Sequence, residues 1–241
     1  MQNHQTNKEA TPPNLQQTDR QRIALFGGTF DPIHIGHLRL LIEIQEHFQF
    51  EHIQIIPCRQ PALKSAPQVT QDQRLTMIQL ALAEAKLEDL VQINTLELQR
   101  EGPSYTVDTL NALRHQYGSE CSLTWIMGMD SFLSLDQWHH GEQIPSLANL
   151  LVVNRPGFEL KENTTDKLLS PQLHDSVSDT PDGKTCFSQP TGEIRLIQSP
   201  PLPIASSDLR QSIAAGRNPT FLLPHTVGEY IIQNHLYGHT L

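Results

Sequence analysis

The sequence has few of the features that mark membrane, exported or nucleic-acid-binding proteins. No apolar run approaches the ~20 residues that a membrane-spanning helix needs. The polar N-terminus lacks the apolar core of a secretion signal, so we expect a cytoplasmic protein without membrane contact. Lysine and arginine number 17 against 26 acidic residues, and the resulting net charge of −9 disfavours binding to nucleic acid.

Cysteine is scarce as well, with Cys58, Cys121 and Cys186 as the three in the chain. Their number is odd, their spacing is wide, and no pair has the short separation of a zinc-binding motif. We therefore predict reduced thiols in a reducing compartment and no resident metal site.

Short apolar runs alternate with amphipathic segments from residue 23 onward. Strands are predicted at 23–26, 53–56, 91–96, 123–127, 150–153 and 194–197. Helices are predicted at 37–48, 70–85, 106–117, 207–215 and 224–237. This alternation predicts an α/β fold: a doubly wound, mostly parallel Rossmann-like sheet flanked by helices, with a C-terminal helical segment. Ligands of such sheets bind at the carboxyl ends of the strands.

Two segments depart from this alternation. Residues 1–21 are rich in Gln, Asn, Thr and Pro, and we predict a disordered polar tail. Residues 158–192 are polar and lack periodicity, which predicts a surface insertion. The remainder of 22–241 is expected to form one domain.

The most informative stretch is GGTFDPIHIGH, from Gly27 to His37, between the first strand and the first helix. Paired glycines allow a tight turn, and the amides at the following helix N-terminus favour a phosphate. His34 and His37 are three residues apart and share a helix face. Gly36 between them leaves room for a flat ring. Metal ligation by the two histidines is an alternative, but no third ligand stands nearby in the sequence.

This string resembles the GxFDPxHxGH signature of the HxGH nucleotidyltransferase superfamily. A later stretch, IASSDLR from Ile204 to Arg210, resembles the second signature of that superfamily, a helix-opening S-S/T-x-x-x-R. Ser206 and Ser207 are expected to cap a helix there and to offer hydroxyls to phosphates. Ala205 stands where the superfamily usually has serine.

Three further stretches are similar to bacterial nicotinate-nucleotide adenylyltransferases. They are PSYTVDTL at 103–110, GMDSF at 128–132 followed by Trp138, and NRPG at 154–157. The chain departs from that family at 61–64, where Pro-Ala-Leu-Lys replaces a PPH(K/R) stretch. Leu63 cannot donate a hydrogen bond to a phosphate, so either Lys64 acts there alone or another part of the chain has that role. His139 also stands where other side chains are common.

The resemblance implies a role for each matching residue. The catalytic set would be His34, His37 and Arg210. ATP would be bound by Gly27, Gly28, Thr29, Phe30, Gly36, Gly128, Asp130, Arg155, Ile204, Ser206 and Ser207. The mononucleotide would be bound by Lys64, Tyr105, Thr106, Trp138 and His139, with Thr106 offering a backbone N–H to the nicotinate carboxylate and Trp138 stacking on the ring. For Trp138 the alternative is a rim residue that packs on its own loop.

The implied activity is the joining of ATP and nicotinate mononucleotide to give deamido-NAD and pyrophosphate, in NAD biosynthesis. Mg²⁺ would be bound mainly through the ATP phosphates. Two alternatives stay open: another acceptor, such as nicotinamide mononucleotide, and a non-catalytic nucleotide-binding module. A homo-oligomer is compatible with the sequence.

Overall fold

The computed structural model describes residues 20–63, 65–154, 177–178, 187–198, 202 and 204–238. The predicted disordered tail lies outside the described residues except for Arg20 and Gln21. The Gln21 carbonyl accepts a hydrogen bond from the Ser122 amide at 2.8 Å, so this end of the tail already belongs to the folded domain.

The strands form one parallel sheet. They are β1 (Arg22–Gly28), β2 (His52–Pro57), β3 (Val91–Ile93), β4 (Ser122–Gly128), β5 (Asn149–Asn154), β6 (Val177–Ser178) and β7 (Ile194–Gln198). Their order is β3-β2-β1-β4-β5-β7-β6, and every pairing is parallel. The predicted doubly wound sheet is therefore confirmed. The direction of winding reverses between β1 and β4, and sheets of this kind bind ligands at the carboxyl ends of the strands at that point.

Helices cover both faces of the sheet. They are α1 (Ile35–Phe48), α2 (Gln71–Ala85), α3 (Leu96–Gln99), α4 (Thr106–Tyr117), α5 (Met129–Leu133), α6 (Ile144–Leu147), α7 (Ser206–Ala214) and α8 (His225–Gln233). Thr70 and Gln73 form the expected capping box at the start of α2, with hydrogen bonds of 2.9 and 3.2 Å. Within the described ranges, no helix combines the length and apolar character needed to cross a membrane.

The core consists of one apolar layer on each face of the sheet. Side chains alternate along β1, so Ala24 and Phe26 join one layer while Ile23 and Leu25 join the other. All four are at most 9 % exposed. This burial on both faces explains why the strand is an unbroken apolar run.

Two predicted elements have different bounds in the structure. The strand expected at 91–96 ends at Ile93, because the Asn94 side chain accepts the Leu96 amide at 3.0 Å and turns the chain into α3. The helix expected at 224–237 ends at Gln233, and a 3₁₀ turn follows, in which Tyr237 has a φ of 58°.

The prediction of a surface insertion at 158–192 is wrong for its last residues. Phe187 is fully buried, with its ring centroid 5.4 Å from that of Phe48 and 5.8 Å from that of Phe50. Val177–Ser178 also pairs with β7 at the sheet edge. One aromatic side chain among polar neighbours carries no periodic signal, so the sequence pattern did not identify this core contact.

Candidate functional site

A cleft of about 740 Å³ opens at the carboxyl ends of β1 and β4, where the strand order reverses. Its volume is in the range of small-molecule binding sites. Many of the predicted site residues line it together: Gly27, Gly28, Thr29, Tyr105, Thr106, Gly128, Asp130, Trp138 and His139. The fold thus brings segments from four parts of the chain to one place, as the motif order predicted.

The paired glycines are required by packing. A Cβ atom on Gly27 would stand 2.4 Å from the ring of Trp125, and one on Gly28 would stand 2.9 Å from the ring of Phe30. Neither position accepts a side chain without displacing an aromatic ring. The backbone of the turn therefore borders the cleft directly, which is what close binding of a phosphate needs.

Gly128 is a third glycine with a steric reason. Its Cβ would lie 2.6 Å from a carboxylate oxygen of Asp130. Gly128 ends β4, and Asp130 follows as an exposed residue in the first turn of α5. This places an acceptor carboxylate at the cleft opposite the Gly27–Thr29 turn, where it can receive hydroxyl or amino donors.

The two histidines stack on each other at the start of α1. Their ring centroids are 3.6 Å apart with an interplanar angle of 22°, so the predicted shared face is confirmed. His34 is 3 % exposed and His37 is half-buried. The His34 amide donates to Nδ1 of His37 at 3.2 Å. In the neutral His37 ring the proton therefore resides on Nε2, an assignment that follows from this hydrogen bond.

The helix N-terminus offers fewer amides than the sequence suggested. The Ile35 N–H donates to the Leu222 carbonyl at 3.1 Å, and the His37 N–H donates to the His34 carbonyl at 2.9 Å. The expectation of several unpaired amides here is therefore wrong for these two.

A Cβ on Gly36 would crowd the His34 imidazole at 3.1 Å, and Ile204 lies 3.7 Å from the same position.

The late motif packs against the early one. The Ser206 hydroxyl donates to the Pro32 carbonyl at 3.0 Å. Arg210 donates to the Asp31 carbonyl at 2.7 Å, and the same nitrogen lies 3.8 Å from the Asp31 carboxylate. Residues more than 170 positions apart thus form one unit, as a two-part ATP site requires.

The predicted helix caps are wrong. The N-cap of α7 is Ala205, and no side chain caps this helix end. The Ser206 hydroxyl is directed to Pro32 instead, and the Ser207 hydroxyl donates to Asp208 at 3.2 Å. Tertiary contact with the early motif replaces the local capping bond that serines at a helix start usually make.

Several predicted ATP and catalytic residues stand beside the cleft and do not line it. Phe30 is 3 % exposed, with its ring centroid 5.2 Å from that of His37, so its side chain belongs to the core. The others in this group are His34, Gly36, His37, Ile204, Ser206, Ser207 and Arg210. Their roles toward ATP stay predictions. Lys64 and Arg155 lie outside the described residues.

Aromatic rings form the other half of the cleft. Tyr105 is the N-cap of α4, and its ring centroid lies 4.2 Å from that of His139 with an angle of 34°. Trp138 is half-buried, lines the cleft and also packs on the core layer that contains Ile23. Its two interpretations, a stacking surface and a packed rim residue, are therefore compatible. Thr106 is the first residue of α4.

Glu97 is a cleft residue that the sequence did not point to. It is 4 % exposed, and one carboxylate oxygen accepts the Thr109 hydroxyl at 2.7 Å. Burial raises the pKa of this carboxyl above its ordinary value, while hydrogen bonds from Thr109 and Ser104 and the charge of Arg100 act to lower it. A single glutamate in a mixed polar segment has no motif of its own, so no sequence signal marked it.

Among the described residues that line the cleft there is no Lys or Arg, whereas two acidic residues, Glu97 and Asp130, line it. Among the arginines close to the site, Arg210 donates to the Asp31 carbonyl, and Arg100 donates to the Tyr105 carbonyl at 3.2 Å. Anionic ligands would therefore be held by backbone amides, helix N-termini and cations one layer away.

Comparison with known proteins places these features in a family. A family model described as cytidylyltransferase-like matches residues 25–212. A Cellvibrio japonicus protein named probable nicotinate-nucleotide adenylyltransferase is 40 % identical over 218 residues, covering 90 % of this chain and 99 % of that protein. A Hahella chejuensis protein of the same name is 40 % identical over 218 residues, covering 90 % and 95 %.

Solved structures show the same fold. The nicotinic acid mononucleotide adenylyltransferase of Plasmodium falciparum, in complex with NaAD, superposes with a TM-score of 0.72. The match covers 92 % of this chain and 99 % of that chain at 19 % identity, so it supports the architecture alone. By the family model and the relatives of 40 % identity together, the chain belongs to the cytidylyltransferase-like family and, within it, to the nicotinate-nucleotide adenylyltransferases.

Proposed function

We propose that the protein transfers the adenylyl group of ATP to nicotinate mononucleotide, releasing pyrophosphate and forming deamido-NAD. The observation that carries this proposal is the shared cleft. The glycine turn of the HxGH motif borders one side, and Tyr105, Thr106 and Trp138 border the other. Two substrates bound in these halves would meet between β1 and β4, and relatives with 40 % identity carry the corresponding name.

The chemistry is an in-line substitution at phosphorus. A 5′-phosphate oxygen of the mononucleotide attacks the α-phosphorus of ATP. The bond from that phosphorus to the oxygen bridging to the β-phosphorus breaks, and pyrophosphate leaves with the electron pair. The protein needs to form no covalent intermediate, so its contribution is alignment of the two reactants and neutralisation of the departing charge.

The ATP half-site is built around the turn at the end of β1. The backbone at Gly27 and Gly28 lies at the cleft without Cβ atoms, and the phosphates would bind along it. The protonated Nε2 of His37 would donate to a phosphate oxygen, and His34 supports the His37 ring by stacking. Arg210 would add positive charge from behind Asp31.

The mononucleotide half-site would hold a flat aromatic acid. Trp138 and the Tyr105–His139 pair offer ring faces on which a pyridine can stack. The Thr106 amide at the start of α4 would bind the nicotinate carboxylate, because a helix N-terminus favours a negative charge. No cation lines the cleft among the described residues. Nicotinate and nicotinamide would therefore be distinguished by the backbone N–H of Thr106 and by the charge state of Glu97.

Magnesium enters with the substrate. No group of three or more His, Cys, Asp or Glu side chains in the described ranges is arranged to hold a metal ion. Mg²⁺ usually keeps several water ligands and binds to enzymes through nucleotide phosphates, so the substrate would be Mg–ATP. The residues above act on its phosphates.

The cytoplasmic location and a homo-oligomer also stay predictions.

The test is pyrophosphate release from ATP and Mg²⁺, with nicotinate mononucleotide and nicotinamide mononucleotide offered separately. We expect release that depends on the mononucleotide, a clear preference for the acid in kcat/KM, and deamido-NAD as the product on chromatography. Reactions without a mononucleotide serve as the control for ATP hydrolysis.

Each other outcome contradicts part of the proposal. Equal use of the two acceptors, or preference for the amide, would leave adenylyl transfer in place and overturn the acceptor. Binding of ATP with no release in either reaction would favour the non-catalytic nucleotide-binding module.

A further inference from the structure

Arg74 is a fully buried cation that none of the steps above uses. It lies on α2 and is 1 % exposed, which makes it one of the largest fully buried side chains among the described residues. One terminal nitrogen donates to the Thr29 carbonyl at 2.7 Å, and the other donates to the Arg59 carbonyl at 3.3 Å. Thr29 belongs to the turn that borders the ATP half of the cleft.

The second contact of Arg74 leads to the mononucleotide half. The Arg59 amide donates to the Ser104 hydroxyl at 3.0 Å, and the Ser104 amide donates to the Gln60 carbonyl at 2.8 Å. Ser104 directly precedes Tyr105 and Thr106. The guanidinium fork thus joins the turn after β1 to the segment after β2, which in turn holds the start of α4.

Among the described residues, no carboxylate forms an ion pair with Arg74. Across the described residues, its guanidinium donates to two carbonyl oxygens and its Nε has no hydrogen-bond partner. Burying an unpaired charge is costly, because neutral carbonyls compensate for only part of the lost hydration. The Thr29 carbonyl that Arg74 binds belongs to the predicted phosphate turn, so the positive charge lies beside the place where an anionic ligand would bind.

We propose that Arg74 is a positioning residue that couples the two half-sites. Its planar fork fixes Thr29 and Arg59 relative to each other, so the α-phosphorus of ATP and the attacking phosphate are presented at the correct separation. Its charge raises the electrostatic potential behind the turn. This inference rests on the proposed adenylyl transfer and assigns no contact between Arg74 and a substrate.

The test compares Arg74→Met with Arg114→Met. Arg114 also binds backbone carbonyls, those of Leu147 and Cys121 at 2.6 Å and of Pro190 at 2.7 Å. Cys121 immediately precedes β4, so this arginine acts at the opposite end of the sheet from the cleft. Arg114 is half-buried, and it therefore serves as the control for the loss of a guanidinium that binds backbone carbonyls away from the cleft.

For Arg74→Met we expect kcat/KM to fall for ATP and for the mononucleotide alike, by roughly 10- to 100-fold, since a displacement of about 1 Å can cost ~10²-fold. For Arg114→Met we expect lower thermal stability and unchanged kcat/KM. Added guanidinium at non-denaturing concentration should restore activity several-fold in Arg74→Ala, because it can occupy the vacated site.

Unchanged kinetics in folded Arg74→Met, or a change for one substrate alone, would overturn the inference. If Arg74→Met fails to fold, Arg74→Lys replaces it: lysine keeps the charge without the planar fork, and wild-type kinetics in that variant would also overturn the inference. Wild-type protein inactive with every mononucleotide would contradict the proposed function instead. The effect of Arg74 would then be measured by calorimetry, as the difference in ATP affinity between the wild type and Arg74→Met.

Discussion

At the scale of single residues, the state of His37 follows from its surroundings. Nδ1 accepts the His34 amide, and the His34 ring stacks below. These contacts hold the imidazole in one orientation and one neutral tautomer. A donor fixed in advance stabilises developing charge better than a mobile one, because no reorganisation is needed during the reaction.

We expect His37→Ala to lower kcat by about 10²–10³-fold, the effect of removing one preorganised donor. The measurement is pyrophosphate release at saturating ATP and nicotinate mononucleotide. His47→Ala is the matched control, because His47 is an exposed histidine in the last turn of the same helix. A folded His37→Ala protein that turns over at the wild-type rate would remove His37 from the catalytic set.

At the scale of elements, the proposed ATP half-site depends on how closely β1 approaches β4. The Trp125 ring on β4 fills the space beside Gly27 on β1, so the two strands meet at a glycine–tryptophan contact, and both residues line the cleft. The glycine turn has its shape because an aromatic side chain from the neighbouring strand occupies the position of a Cβ.

Gly27→Ala is therefore expected to destabilise the fold by about 1–3 kcal/mol, the usual cost of overpacking a core. Gly228→Ala is the control: Gly228 lies within α8 with no neighbouring atom within 4 Å of its Cβ position. Alanine should stabilise that helix by about 0.5–1 kcal/mol. Urea unfolding measures both, and equal stability of the two variants would contradict the close contact at Gly27.

At the scale of the whole molecule, the end of the chain supports the first motif. The Tyr237 hydroxyl donates to the Asp31 carboxylate at 2.7 Å, across 206 positions of sequence. The other Asp31 carboxylate oxygen accepts the Gln68 amide at 2.9 Å. Asp31 is 3 % exposed, so its charge depends on these donors and on Arg210. The segment that carries the first motif is thus bonded directly to the C-terminal part of the chain.

Tyr237→Phe should lower the free energy of unfolding by about 1–3 kcal/mol, because a buried carboxylate loses one donor. Tyr230→Phe is the control, since Tyr230 lies on α8 and its hydroxyl makes no hydrogen bond within the described residues. Denaturant unfolding of both variants at neutral pH is the measurement. Equal stabilities would show that the Asp31–Tyr237 bond contributes nothing net.

The same pair predicts a dependence on alkaline pH. Burial, followed by the nearby negative charge of Asp31, raises the pKa of Tyr237 above its ordinary value of 10.0. The folded state therefore holds this proton more tightly than the unfolded state. The stability that the Tyr237 hydroxyl contributes is fully present below pH 10 and is lost as the pH rises further. The difference in free energy of unfolding between wild type and Tyr237→Phe should therefore shrink above pH 10.

The sequence by itself determined the elements and the early motif, because their signals are local. Apolar runs identified the strands, and the Thr70–Gln73 pair identified the start of α2. The Gly27–His37 string carries its turn, its helix start and its paired histidines within eleven consecutive positions. Spacing along one turn of helix is sufficient to place such residues together.

Only the tertiary structure decided which partners complete the site. Glu97, Arg74 and Tyr237 are ordinary residues in their own segments, and their importance comes from Thr109, Thr29 and Asp31. The serine hydroxyls of the late motif donate hydrogen bonds to Pro32 and Asp208. The N-cap position of α7 is therefore occupied by Ala205, which has no side chain that can cap the helix. Burial and hydrogen bonding across distant positions depend on the packed chain, so local pattern cannot specify them.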